Sequence, residues 1–187
     1  MEMGMYESSI QPQAAPLELE NRQQQLEYLM RRFGDKVLYL AYSYLHDLHW
    51  AEDVAQEVFI RIYTNLDKFQ GRSSIYTWIY HITVNLCRDQ LRARTRRRDV
   101  ELVKPPEHTF AGVEDRVLEN LQQQELWRAI LNLPVIYREV IWLHYYEQLS
   151  LKDIAKILGI SLPSVKIRLY RARQRLQQVF KVGEGDA

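Results

Sequence analysis

The chain has 187 residues, enough for one ordinary domain or two small ones. Charged residues form 26% and hydrophobic residues 47%, a globular composition, and no run reaches the roughly 18 apolar residues of a membrane span. One cysteine, and a first twenty residues with four Glu but no Lys or Arg, exclude a disulfide-stapled or secreted class, so a cytoplasmic protein is expected.

Residues 1–20 mix Pro, Gln, Ser and Gly without a sustained period and read as an N-terminal tail. From Leu26 to Leu45 the apolar positions fall at helical spacing, with Gly34 expected to break the segment into two helices. His46 to His49 reads as a connection. The next helix, ending at Leu66, turns Val54, Val58, Ile62 and Leu66 inward and Asp53, Gln56, Glu57 and Ile60 outward. An acidic face with one exposed Ile suits a protein partner better than a nucleic acid, though pattern alone favours a solvated face.

Asp67 to Ser73 is a predicted loop, and Ser73 or Ser74 is the expected N-cap of a helix running from Ile75 into an arginine cluster. Phe69 sits in that polar loop beside Gly71. Tyr76, Trp78 and Tyr80 crowd the helix start, followed by Asn85, Arg88, Arg92 and Arg94. Rings interleaved with cations are what single-stranded DNA binding uses, because bases stack on the rings while Arg tracks the backbone. A loop aromatic also suits a base pulled from the duplex. Trp78 shares its helix with Ile75, Ile79, Ile82 and Leu86 and is expected in the core.

Charge is segregated beneath a net of +1: residues 88–98 carry six Arg against one Asp, and residues 150–181 carry eight bases against one acid. Between them, residues 99–125 hold seven acids and two bases. Two basic blocks separated by an acidic stretch suggest two surfaces for a polyanion. Residues 99–113, with Pro105, Pro106 and Gly112, read as a linker.

The second half is again helical, with segments at Val117–Leu131 and from Pro134 to Tyr146. Ser150 and Asp153 form a capping box before Leu151–Leu158, Gly159 suits a left-handed terminus, and Ser161 caps a last helix from Leu162 to Phe180. A short helix, a Gly-containing turn and a longer helix have helix-turn-helix spacing. Ile154, Ala155, Leu158, Val165, Leu169, Ala172 and Leu176 are expected inside. Ser164, Lys166, Ile167, Arg168, Tyr170, Arg171 and Arg173 remain outside, a set suited to phosphates, guanine edges and thymine methyls. The fold class is all-α: two small helical domains, 21–98 and 117–187, joined by a linker at 99–116.

Two segments carry a family resemblance. DVAQEVFIRIYTNLDKFQGRSSIYTWIYHITVN resembles the second domain of bacterial sigma factors, and LPVIYREVIWLHYYEQLSLKDIAKILGISLPSVKIRLYRAR resembles the fourth. A short linker in place of a third domain resembles the extracytoplasmic-function (ECF) group. The resemblance implies a dissociable, non-catalytic subunit of RNA polymerase that binds promoter DNA, both duplex and single-stranded, and opens it.

By position, it implies that Asp53, Gln56, Glu57 and Ile60 dock on the clamp helices of the polymerase's largest subunit, with the fourth domain on the flap of the second-largest. It implies that Phe69, Gln70, Gly71, Arg72 and Ser73 capture a flipped minus-ten base, that Asn85 contacts it, and that Arg88, Arg92 and Arg96–Arg98 lie near the melting point. Ser164, Lys166, Ile167, Tyr170 and Arg171 are implied to read the minus-thirty-five element, with Arg168 and Arg173 on the backbone. Pro163 stands where the family commonly has Gly. An anti-sigma factor is an implied partner, and no cofactor is implied.

Two rivals compete with that expectation. A stand-alone helix-turn-helix regulator explains residues 150–181 but leaves the Phe69 loop unexplained. A metal-dependent enzyme would draw on His46, His49 and Glu52, which lack an evident fourth ligand, so no metal is expected. Cys87, beside Leu86, reads as a small buried hydrophobe.

Overall fold

In the computed structural model, which describes residues 21–71, 73–98 and 121–183, every regular element is helical. Helix α1 (Arg22–Leu45) starts where the Asn21 side chain accepts the Gln23 N–H, and it ends at His46 in the left-handed conformation (φ 53°). Gly34 does not break it, contrary to expectation. A helical Gly costs about 1 kcal/mol relative to Ala. Leu29, Phe33, Val37 and Leu40 are wholly buried on the same face, and each such side chain contributes about 1.5–3 kcal/mol. Tertiary packing therefore outweighs the local cost.

The connection is shorter than the sequence suggests. Asp47 already caps α2 (Leu48–Asn65), accepting the Trp50 N–H at 3.2 Å. Val54, Val58, Ile62 and Leu66 are buried as predicted. A single tight 3-10 turn (Leu66–Lys68) leads into the loop. Of the two candidate caps, Ser74 is the one used: its Oγ accepts the Thr77 N–H at 3.1 Å and starts α3 (Ile75–Arg98). Helices α1, α2 and α3 pack on one another.

The predicted tail and linker lie outside the described residues, as does Arg72. The second half comprises α4 (Leu121–Leu131), α5 (Val135–Ile141), α6 (Leu151–Leu158) and α7 (Leu162–Gly183). Pro134 is the N-cap of α5. That helix widens at its end into a π turn, Trp142–Tyr146, which lets Trp142 stack on Tyr146 at 4.4 Å and meet Trp127 at 5.1 Å. Ser150 Oγ accepts the Asp153 N–H at 3.1 Å and Gly159 adopts φ 66°, so α6 is capped at both ends as predicted. Ile154, Leu158, Val165, Leu169 and Ala172 are buried, joined by Ile157, while Ala155 and Leu176 are half-buried. The buried residues of both halves form one continuous cluster, with α6 lying on α3 and α5 on α1.

Candidate nucleic-acid and polymerase interfaces

Three surfaces gather the residues singled out in the sequence. The first is a groove of about 660 Å³ between α1 and α2, lined by Leu26, Met30, Leu38, Phe59, Ile60 and Tyr63. Ile60, 59% exposed, stands on its wall with Met30 and Tyr63 also exposed. Gln56 shares this wall, and Asp35 and Glu52 bring carboxylates to it. Asp53 is exposed on the same helix, and Glu57 ties to Arg61 at 2.8 Å. The lone exposed Ile of the sequence is thus part of an apolar strip with an acidic border.

The second surface is a pocket of about 310 Å³ lined by Arg61, Asn65, Lys68, Trp78, Ile82 and Asn85. Beside it the Phe69 ring lies 5.2 Å from the Trp78 ring, so both aromatics are half-buried against each other. Trp78 is therefore not the interior residue the sequence suggested: one side packs on the core and another lines the pocket. Gly71 takes φ 64°, a left-handed turn that costs an L side chain about 1–2 kcal/mol. Gln70 is exposed and Ser73 half-buried. Asn85 Nδ2 lies 3.0 Å from His81 Nε2.

The arginines of α3 divide by role. Arg92 is largely exposed and its side chain pairs with Asp89 at 3.4 Å. Arg94 instead donates to the Leu45 carbonyl at 3.1 Å and lies over Trp50, so it closes the end of α1. Arg88 donates to the Leu158 carbonyl at 3.0 Å and pairs with Glu139 at 3.2 Å.

The third surface is α7. Lys166, Ile167, Tyr170, Arg171 and Arg173 are exposed and Ser164 half-buried. Ser164 donates its N–H to Ser161 Oγ at 3.3 Å, which holds the N-terminal turn of the helix in place. Arg168 was expected outside. It turns inward instead and donates to Glu139 at 2.8 Å, bracing α7 against α5.

Sequence reasoning missed the polar centre between the halves. Glu139 is 2% exposed and receives Tyr44, Arg88 and Arg168. Glu147 receives Lys36 at 2.8 Å and the Tyr80 hydroxyl. Burial, with the adjoining carboxylates second, pushes the Tyr44 and Tyr80 phenols well above their ordinary range. Arg138 contacts His46, and burial pulls its guanidinium down to about 10. A signal for this centre existed. Arg138-Glu139 interrupts the apolar run from Val135 to Leu143, and charges on the buried side of a helix require partners. Among the described residues, no group of three or more His, Cys, Asp or Glu gathers as a metal site, and His46 faces Arg138.

Two helical modules, one carrying a helix-turn-helix and each presenting a cationic helix, define a bipartite DNA-binding protein. Residues 29–97 match the model for Sigma-70 region 2, and residues 123–176 match Sigma-70 region 4. The chain is 37% identical over 159 residues to the ECF RNA polymerase sigma factor SigW of Bacillus subtilis, covering 80% of this chain and 85% of the relative. It is 31% identical to the RNA polymerase sigma-H factor of Pseudomonas aeruginosa, covering 83% and 86%. Among solved structures, the sigma factor RpoE of Bartonella quintana, in complex with the anti-sigma factor NepR, is 26% identical with a TM-score of 0.70, covering 85% and 98%. CnrH, in complex with the cytosolic domain of CnrY, shares the fold at 23% identity and a TM-score of 0.62, covering 88% and 91%.

The chain belongs to the ECF RNA polymerase sigma factors. It is a non-catalytic protein that directs RNA polymerase to promoters. Among the described residues no helix is long and apolar enough to cross a membrane.

Proposed function

We propose that this sigma factor divides promoter opening among the three surfaces. Residues 21–98 dock on polymerase and read the minus-ten element, residues 117–187 read the minus-thirty-five element, and residues 99–116 link them. The groove between α1 and α2 takes the clamp helices of the largest subunit, with Ile60 as the apolar anchor and Asp53, Gln56 and Glu57 as the polar border. Its support is the combination of exposed apolar residues with an acidic border. The flap of the second-largest subunit is the partner of the second half.

The pocket ending in Asn85 takes the flipped minus-ten base, held from the loop by Phe69, Gln70, Gly71, Arg72 and Ser73. Its support is the coincidence in one cavity of an aromatic wall (Trp78), an amide (Asn85) and two cations (Arg61, Lys68). Melting duplex DNA costs about 1.4 kcal/mol per base step. Stacking of a captured base returns roughly 1–3 kcal/mol, which makes opening depend on sequence. Arg88 and Arg92 hold the adjoining backbone.

The exposed Ser164, Lys166, Ile167, Tyr170 and Arg171 of α7 read the duplex at minus-thirty-five, with Arg173 on phosphate. Arg168 joins it as a brace rather than as an outward cation. The two sites gain effective concentration only when polymerase fixes their spacing, so the free chain binds promoters weakly. The factor acts in the cytoplasm and is held in check by an anti-sigma factor, a reading supported by the Bartonella quintana relative bound to one.

The base-sized pocket beside Phe69, on the same chain as a helix-turn-helix, carries this reading. Run-off transcription with bacterial core polymerase, this protein and a pooled promoter library tests it against core alone. New discrete starts preceded by two shared motifs are expected. No transcript, together with tight duplex binding by the chain alone, would replace it with a stand-alone regulator.

A further inference from the structure

The run Trp142-Leu143-His144-Tyr145-Tyr146 places four rings on one π turn, and they do not share a direction. Trp142 and Tyr146 stack on each other and reach Trp127 at 5.1 and 5.9 Å. Tyr145 stays outside that cluster, 49% exposed, with its ring set edge to face against His144 at 4.9 Å. His144 is held in turn, its Nδ1 3.3 Å from the Leu149 carbonyl, and the Leu149 N–H donates to the Leu143 carbonyl at 3.0 Å. The Tyr145 ring is thus oriented without being buried.

Arg173 lies over that ring, its guanidinium carbon 5.4 Å from the ring centre. Lys166, Tyr170 and Arg173 follow at steps of four and three along α7. Arg173 therefore ends the stripe assigned above to minus-thirty-five DNA, about 10 Å along the helix from Lys166. Arg175 also lies over a ring, Tyr137 at 5.1 Å, but two residues on it faces the opposite flank of α7.

The kind of partner decides what an arginine can still do. Arg168 meets a carboxylate, Glu139, which offsets its charge and occupies an N–H. Among the described residues no carboxylate pairs with Arg173. A ring face attracts a cation through its quadrupole but takes up none of the in-plane N–H donors. The charge and all five donors of Arg173 remain for a phosphate, which a guanidinium can grip through two parallel hydrogen bonds.

We propose that Tyr145 is a positioning residue for the minus-thirty-five duplex: it holds the Arg173 guanidinium ready for one backbone phosphate and so fixes the register of α7 on DNA. The proposal rests on the reading of Arg173 given under the proposed function. Its basis is entropic. An unsupported arginine loses rotamer freedom when it meets a phosphate, and a ring beneath it takes part of that loss before DNA arrives. Phosphate contacts set register rather than read sequence. Pre-ordering leaves the number of neutralised phosphates unchanged, so it moves affinity and not salt dependence.

The test uses holoenzyme, assembled from bacterial core polymerase and the full chain, and reads its affinity for a promoter recovered from the pooled library over a range of salt. Tyr145→Leu should weaken binding about two- to tenfold at a constant slope of log affinity against log salt. Tyr145→Phe keeps the ring and should bind as the wild type does. Arg173→Ala should weaken binding and lower the slope by about 1, and adding Tyr145→Leu to it should cost nothing further. On promoter DNA cut back to the minus-ten element, Tyr145→Leu should have no effect, which a general loss of structure would not allow. A thermal melt accompanies each variant, and Tyr145→Gln, which also removes the ring, serves if the Leu variant melts low.

No loss in Tyr145→Leu, or the same loss with and without Arg173, overturns the proposal. A loss in Tyr145→Phe equal to that in Tyr145→Leu also overturns it, because the hydroxyl would then be the active group. If Arg173→Ala alters neither affinity nor slope, it is the reading of Arg173 that fails. Additive losses beside an intact Arg173 effect refute the positioning role alone.

Discussion

Ile60→Ala separates docking from folding, because the side chain contributes far more surface to a partner than to its own core. Full burial of an Ile side chain is worth about 1.5–3 kcal/mol. With 59% of the residue exposed, a partner that fills the groove gains about 1–2 kcal/mol from it. At 1.4 kcal/mol per decade, its loss weakens polymerase binding roughly five- to twentyfold. The already buried portion costs under about 1 kcal/mol in folding, and the higher helix propensity of Ala offsets part of that. A chain of this size should therefore lose no more than about 4 °C in melting temperature. Fluorescence anisotropy of labelled protein titrated with core polymerase gives the affinity, and a thermal melt gives the stability. Unchanged affinity in a variant with unchanged melting would refute the assignment of the groove as the clamp-helix site.

Gly34→Ala should stabilise the chain by up to about 1 kcal/mol, since a Cβ built there meets nothing within 4 Å, and urea midpoints check it. At high pH the sign is set by Tyr44, Tyr80 and Cys87, whose protons are held in the folded state above their ordinary values of 10.0, 10.0 and 9.0. The unfolded chain releases those protons first, so stability is full below about pH 9 and falls as pH rises past 9 to 10. Arg138, lowered to about 10, opposes this above about pH 10, one group against these three and Tyr146, whose phenol burial also raises. Urea midpoints that rise above pH 10 would contradict the burial of these groups. Arg173→Ala should reduce the slope of log affinity against log salt by about 1 in holoenzyme–promoter binding, and an unchanged slope removes Arg173 from the phosphate contacts.

What the sequence made legible was local. Ser150, Gly159 and Ser74 act through hydrogen bonds and torsions within four residues, and the stripe Val165, Leu169, Ala172 follows from helical period alone. The exposed face of α2 was legible in the same way, although the facing wall of its groove, with Leu26 and Met30, comes from a helix read separately. Gly34 misled because propensity is a small local term and the packing of Phe33 and Val37 is a large non-local one. Arg168 misled differently. Period placed it on the DNA side, but an Arg stem is long enough to fold back to a carboxylate 29 residues earlier.

Which residues meet across the halves had no local signal. Tyr44 meets Glu139 across 95 residues and Lys36 meets Glu147 across 111, separations at which no periodicity survives. Yet charge alone narrows the possibilities once Arg138-Glu139 is recognised as a buried pair. The basic α3 stripe needs anions, and residues 135–158 of the second half offer only three acids: Glu139, Glu147 and Asp153. Asp153 is occupied by its own cap at Ser150, which leaves the two carboxylates that do receive the first half. A basic face thus has few places to rest on its own protein, and Glu139 and Glu147 are the two that this chain supplies.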